Sequence, residues 1–279
     1  VYKRQVLLRR FTLSVGVLAN YNSALNERIH FYPGIDASYR IGDNVRLYGS
    51  WNRALRMPTF TDLYYEGKTN KGNPDLKPEE SEAFEVGLKY NTYFLRAHIA
   101  GFYRKGKNMI DWVKEKPEDI WESQNLTKVD NLGFETNLSL LPRELGNERF
   151  FIRKIELGYA FIHQDKDSEG YISNYALDYL KHKFTAQLSH SIWKGFSATW
   201  YVRWQDRAGS YTKYENLKPA YEEPYAPYCL VDMKVNWEYQ RLNLYAELNN
   251  LLNSTYYDLG NIPQPGIWFK AGFRYSFKY

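Results

Sequence analysis

The sequence holds a single cysteine, Cys229, in 279 residues. One thiol excludes an internal disulfide and any cysteine-rich metal centre, and it leaves the redox compartment open. No apolar run reaches about 18 residues, the least a transmembrane helix needs. That absence leaves a β-structured membrane protein open, because a spanning strand requires only alternation. Catalytic signatures are missing too: there is no Gly-x-Ser-x-Gly, His-Glu-x-x-His, Walker loop or Gly-x-Gly-x-x-Gly. The five histidines (His30, His98, His163, His182 and His190) are scattered. His182 and His190 share a strand face but stand too far apart to chelate one ion directly. The net charge of +5 comes from Lys and Arg spread along the chain, which argues against nucleic acid as a partner. An initiator Met and an apolar leader are lacking. VYKRQ, residues 1–5, reads as translated adapter sequence foreign to the native chain, with the true N-terminal part expected upstream.

Aromatic residues are abundant instead. Tyr, Phe and Trp number 26, 15 and 8, or 18% of the chain, at a mean hydropathy of −0.62. These rings favour strands, and rings with one apolar and one wet end suit membrane interfaces. Period-2 alternation recurs from end to end and predicts about twelve strands. The first, roughly 8–20, sets Phe11, Leu13, Val15, Val17 and Ala19 against Arg10, Thr12, Ser14 and Gly16. The next two lie near 31–41 and across Val45–Trp51. Others carry Phe84/Val86/Leu88/Tyr90, Tyr93/Leu95/Ala97/Ile99 and Leu132/Phe134/Leu138/Leu140 on their apolar faces. Ile155–Phe161, Phe184–Ile192, Phe196–Trp204, Cys229–Trp237, Leu242–Leu248 and Phe273–Tyr279 complete the set.

Short turns are expected at Gly42-Asp43-Asn44, Asn91-Thr92, Lys194-Gly195 and Gln240, with a longer one through Pro142–Arg149. Long polar loops are expected near 53–80, 105–126, 164–180, 206–226 and 250–266. Short turns at one end and long loops at the other is the layout of an outer-membrane barrel. A soluble β-sandwich or solenoid also alternates. Here, however, the second face is charged across many strands (Arg203, Asp232, Lys234, Glu238, Arg241, Glu247, Lys270, Arg274), and no helical pattern interrupts them. The expected fold is therefore all-β, a transmembrane antiparallel up-and-down barrel.

Two segments bear a resemblance. Residues 49–90 carry Arg56, Pro58, Thr59, Phe60, Leu63, Tyr64 and Tyr65, then Gly72, Asn73, Pro74, Leu76, Lys77, Pro78 and Glu79. The end of the chain carries an Asn-Leu-Leu-Asn-x-x-Tyr loop, Pro-Gly, and an aromatic-ended last strand with Phe273, Tyr275, Phe277 and Tyr279. Both resemble TonB-dependent outer-membrane receptors. The resemblance implies a 22-stranded barrel around a plug. Residues 6–279 would be its C-terminal part, without plug or TonB box. It implies import of a scarce ligand (a ferric siderophore, cobalamin or haem) driven through the TonB complex, and no enzymatic step. Pro-Gly-x-Trp-Phe resembles cobalamin- and siderophore-type members more than the glycan-importing branch. The four terminal rings would be the signal read by the outer-membrane assembly machinery, packed at the lipid boundary and closing the barrel against its first strand. A passive porin-like or adhesion barrel is the alternative.

Site residues follow from chemistry and position. Arg53, Arg56, Tyr64, Tyr65, Trp112, Trp121, Tyr211, Tyr214, Tyr221, Tyr256 and Tyr257 fall in the loops, where rings give rigid contact area and Arg grips anions. Structural loop packing is the competing role for Arg56 through Tyr65. Arg203, Lys234, Glu247 and Arg274 are expected on the lumen wall, facing a plug. HQDKDSEG sets Asp165, Asp167 and Glu169 at alternate positions ahead of Gly170, a spacing of hard oxygens that suits Ca²⁺, with an acidic solvated turn as the alternative.

Overall fold

A computed structural model of the chain describes residues 2–8, 10–21, 29–116, 118–146, 149–167, 170–173, 179–215, 218–260 and 262–277. Its long strands are β1 (Tyr2–Leu8), β2 (Phe11–Tyr21), β3 (Ile29–Arg40), β4 (Val45–Arg56), β5 (Glu79–Asn91), β6 (Leu95–Lys114) and β7 (Trp121–Leu140). They continue as β8 (Ile152–Asp167), β9 (Leu180–Trp193), β10 (Phe196–Arg207), β11 (Tyr228–Tyr239), β12 (Leu242–Asn249) and β13 (Trp268–Tyr275). Each hydrogen-bonds beside the next in chain order, and among the described residues the path ends at β1 and β13. The registers from β1 to β4 and from β8 to β13 are antiparallel. The strand beyond the expected twelve is β1. Its first residues, set aside above as a tail, pair with β2 from Tyr2↔Gly16 to Val6↔Thr12.

The chain divides into two compact units. Residues 1–89, 99–134 and 162–179 form the first, and residues 90–98, 135–161 and 180–279 the second. In the first unit one face of β2–β5 exposes Val15, Val17, Phe31, Ile35, Leu47, Phe84 and Val86. The opposite face is polar. There the Tyr48 hydroxyl donates to Glu85 (2.7 Å) and the Lys89 ammonium sits 4.6 Å above the Tyr48 ring. In the second unit Leu157, Leu188, Ile192, Leu244 and Phe273 are exposed on one face, while Lys154–Glu156 (2.8 Å) and Lys234–Glu247 (2.7 Å) pair on the other. A whole sheet face of bare aliphatic and aromatic side chains suits lipid rather than water. Rings collect at the ends of these faces, as in Phe196–Trp237–Tyr239 and the Phe161–His182–Trp204 group. The terminal rings follow suit, with Phe273 and Phe277 exposed at 74% and 79%. Phe277 meets Tyr275 edge-on at 5.0 Å. Tyr279 lies outside the described residues, and β13 pairs with β12.

The short turns fall where expected. Thr92 closes one by taking the Leu95 amide on its hydroxyl at 2.9 Å and donating its own amide to the Leu95 carbonyl. The loops depart from expectation. Most of 105–126 is strand, because β6 runs to Lys114 and β7 begins at Trp121. Residues 210–215 and 218–224 form a hairpin. Residues 53–80 contain a helix, α1 (Phe60–Tyr64), and a two-residue strand (Asn70–Lys71) beside β7. Beyond the apolar band a ladder needs no lipid-facing side, so alternation fades from the sequence while backbone pairing continues.

The Lys194-Gly195 turn supplies a stability test. Both residues have positive φ (20° and 86°), and a Cβ on Gly195 would collide with the Glu238 carbonyl oxygen. Gly195→Ala should destabilise the β9–β10 hairpin by about 1–3 kcal/mol. Gly42→Ala, with nothing within 4 Å of its Cβ, should stay near neutral. Thermal unfolding of the two variants side by side checks the ranking.

Candidate functional site

The loop end of the first unit is organised by the segment from Arg56 to Glu79. Thr59 caps α1 in a reciprocal capping box: its hydroxyl accepts the Asp62 amide (3.1 Å), and the Asp62 carboxylate accepts the Thr59 amide (3.0 Å). Gly72 lies against this helix so closely that a Cβ would meet the Leu63 carbonyl carbon at 2.8 Å, and Asn73 donates its amide to the Asp62 carbonyl (2.8 Å). Arg56 then forks onto Glu79 through Nε (2.5 Å) and Nη2 (2.6 Å). Glu79, only 7% exposed, also accepts the Ile110 amide at 2.8 Å. Asn125 spans the Lys77 backbone, accepting its amide (2.9 Å) and donating to its carbonyl (3.0 Å), and reaches the Asn108 carbonyl (2.7 Å). This polar brace ties β4, β5, β6 and β7 together above their apolar stretches.

Behind the brace lies a buried charge. Asp111 and Lys166 have side-chain exposures of 1% and 3% and stand 3.8 Å apart. Ser173, on a two-residue strand paired with β6, donates to Asp111. Burial pushes the Lys166 amine below its ordinary pKa, with Asp111 opposing that shift.

The expected ligand-binding residues distribute unevenly over this geometry. Arg56 is part of the brace. Trp112 is buried and receives Tyr65 edge-on at 6.3 Å. Tyr64, at 63% exposure, stands free on α1 beside Phe60. Trp121 lies under the Lys114 ammonium at 4.6 Å. Arg53 bonds Glu80 (3.2 Å) and Glu82 (3.4 Å). By strand parity it shares the face of Trp51 and Phe84, the apolar one, rather than that of Arg56.

In the second unit the charged face forms a ladder. Glu247 is held between Lys234 (2.7 Å) and Lys270 (2.5 Å). Both lysines and Glu247 line a cavity of ≈ 960 Å³ with Arg153, Arg241 and Arg274. Lys234, Glu247 and Arg274 line this one cavity, while Arg203 sits further along β10, opposite Leu230. At the loop end, Tyr211 stacks on Tyr257 (5.1 Å) and leans on Tyr225 (5.2 Å). Tyr228 meets Tyr256 at 4.6 Å and donates to Asp258. Tyr211 and Tyr225, 7% and 6% exposed, make this knot a small core of its own. Tyr221 is exposed beneath the Lys213 ammonium. The side chains of Tyr214 and Asp167, and all of Glu169, lie outside the described residues, and Asp165 is exposed. Among the described residues no three His, Cys, Asp or Glu side chains gather to hold a metal.

Sequence reasoning passed over Asn250. It is 2% exposed with φ of 52°. Its side chain accepts the Ser254 amide (2.9 Å) and donates to the Ser254 and Pro265 carbonyls (2.9 and 3.2 Å). Asn253, at φ 48°, accepts the Ile267 amide (3.0 Å). The Asn-Leu-Leu-Asn spacing was the available signal: two residues tolerant of left-handed backbone, each carrying an amide to pin a loop.

Two tests follow. Glu79→Gln keeps the shape but loses the charge that holds Arg56, and should loosen the brace by about 1–3 kcal/mol. Faster hydrogen exchange at Ile110 and proteolytic cutting within residues 57–78 would report it. The second concerns the 210–224 hairpin, where Lys213 bonds Glu223 at 2.7 Å. Hydrogen bonding to Lys213 lowers the Glu223 pKa, and the same bond raises that of Lys213. The carboxylate's contribution is therefore complete above the ordinary Glu value of about 4.3 and is lost as pH falls through the lower folded value. Exchange protection in the hairpin should hold from pH 7 to about 5 and drop below about 4.

The family model described as "TonB dependent receptor-like, beta-barrel" matches residues 9–251. The vitamin B12 transporter BtuB of Vibrio vulnificus is 28% identical over 134 residues, which are 43% of this chain and 21% of the relative. An iron-regulated outer membrane virulence protein of Vibrio cholerae is 26% identical over 204 residues, 66% of this chain and 29% of the relative. Among solved structures, a mutant of the ferric enterobactin receptor PfeA from Pseudomonas aeruginosa, in complex with enterobactin, superposes with a TM-score of 0.76 at 19% identity. That match covers 98% of this chain and 44% of the receptor. The FrpB iron transporter from Neisseria meningitidis gives 0.70 at 16% identity, covering 97% and 44%. The chain thus spans less than half the length of these relatives, and the likeness to the solved structures establishes the barrel fold.

Proposed function

Because the chain belongs to the TonB-dependent receptor β-barrel family, we propose that it forms the membrane-spanning wall of an active importer that takes up a scarce large ligand, a metal chelate or cobalamin, with energy delivered through TonB. The protein resides in the outer membrane, as its family does. The observation that carries the reading is the family match over residues 9–251. The relatives, a vitamin B12 transporter and an iron-regulated outer membrane virulence protein, support the ligand class.

The geometry supplies a physical rationale for each part. The exposed apolar face meets lipid, and the ladder of Lys234, Glu247 and Lys270 faces the interior. Half-exposed ion pairs are worth about 0–1 kcal/mol each. A plug held by many such pairs can exchange partners one at a time under a modest pull, and no single bond sets the barrier. At the loop end, the brace holds Tyr64 and the tyrosine knot holds Tyr221 as rigid platforms. Rings presented on ordered backbone bind with little loss of side-chain entropy. Reaction chemistry plays no part in this scheme, since the ligand crosses intact.

The test is uptake by the complete receptor in a host lacking its own importers. Ferric siderophores, haem and cyanocobalamin are offered separately at growth-limiting concentration. One of them should be accumulated, and deletion of TonB should abolish the uptake. Uptake that survives without TonB, together with steady conductance in a planar bilayer, would overturn the proposal in favour of a passive channel.

A further inference from the structure

Beyond the apolar band, a lone strand pair would leave both its faces in water. The loop ends of β6 and β7 do not. Asp111, Trp112 and Val113 are consecutive on β6 and all are buried, as is Ser123 on β7. Successive strand residues point to opposite faces, so this ribbon is covered on both. Tyr65, from the connection between β4 and β5, meets Trp112 edge-on at 6.3 Å. Lys166, near the end of β8, and Ser173, beyond it, meet Asp111 on the other face.

The edges of the ribbon are covered as well. At its tip the Lys114 ammonium lies over the Trp121 ring (4.6 Å), with β6 and β7 side by side, which leaves each strand one further edge. Asn70–Lys71 pairs with β7 at Trp121 and Glu122, where the Trp121 amide donates to the Thr69 carbonyl (2.9 Å). Ile172–Ser173 pairs with β6 at Lys114 and Val113. In the sheet β5 borders β6, and β8 borders β7. Each connection therefore steps across the ribbon to the strand farther from its own root, and the two cross in opposite directions. A two-stranded ribbon is marginal in water, whereas three or more strands with a packed face are stable. Here the third strand comes from one connection and the fourth from the other.

Lys166 is the weak point of the closure. Its side chain is 3% exposed, stands 3.8 Å from Asp111 and has no hydrogen-bond partner for its ammonium among the described residues. A buried charge so held is tolerated only while its counter-charge stays in place.

We propose that the two crossings, one at residues 65–73 and the other marked by Lys166, Ile172 and Ser173, share a single ordering equilibrium with the Asp111–Lys166 pair as its bolt. A ligand or partner that seizes one connection then orders the other. Tyr64, carried on α1 just ahead of the first crossing, is coupled through β6 to Ser173. This assignment rests on the packing of the crossings and not on which ligand is imported.

The test is hydrogen exchange of the complete receptor in detergent, read by mass spectrometry. Lys166→Met leaves Asp111 without its counter-charge. It should speed exchange at the Trp121 and Gly72 amides, whose bonds belong to the other connection, by at least about fivefold. Tyr65→Ala uncovers Trp112 and should speed exchange over residues 170–173 to a similar degree. This second variant decides the matter alone should Lys166→Met fail to fold. Lys89→Gln, above the Tyr48 ring on the polar face, should change neither region. Faster exchange confined to the substituted connection would overturn the proposal, because the two loops would then open independently. Equal acceleration throughout β2 to β5 would overturn it as well, by assigning the opening to the whole unit.

Discussion

A backbone amide or carbonyl inside a bilayer has no water to bond, and each one left unpaired costs several kcal/mol. Strand pairing in this chain answers that constraint, and the side chains are arranged around it. Because the ladder satisfies the backbone, the two faces are free to take opposite chemistries: Val86 and Phe273 toward lipid, Lys234 and Glu247 away from it. The turns obey the same rule. Gly195 accepts the Glu238 amide of β11 on its carbonyl at 3.0 Å in a left-handed conformation, so the turn itself is bonded to the neighbouring strand.

Above the apolar band the constraint relaxes, and side chains take over part of the work. Glu79 and Asn125 each bond backbone groups of other segments, and Asn250 does so within its own loop. These are buried or half-buried polar groups with most of their bonding capacity used, which is the condition under which such groups confer rigidity. The tyrosine knot adds a small apolar core where the hairpin of residues 210–224 meets the loop around Tyr257. Loop bases are thereby ordered by two independent means, one polar and one aromatic.

Legibility in the sequence tracks these two regimes. Strand faces from Phe11 to Phe273 could be read from alternation alone, because lipid forces one side of every strand to be apolar. Alternation vanishes between residues 105 and 126, where Asp111, Trp112, Val113 and Ser123 are buried by the protein itself and no side must face lipid, so the long extensions of β6 and β7 read as loop. Parity would have moved Arg53 from the ligand loops to the apolar face, had Trp51 been followed two residues further. The roles of Arg56, Asp111 and Lys166 depend on partners 23 to 62 positions away, and no local pattern announces such pairings. Asn250 was legible in principle, through its repeated amide spacing.

The 20-residue lengths of β6 and β7 have an architectural corollary. At about 3.3 Å per residue such a strand is roughly 65 Å long and, tilted by about 40°, rises roughly 50 Å, about twice the apolar height of about 25 Å in an outer-membrane barrel. The surplus forms a pier that carries the loop tips clear of the bilayer. Tips mounted on a pier can be exchanged, lengthened or recoloured by mutation while the foundation in the membrane stays as it is. A substitution or insertion at the summit then leaves the base as it was.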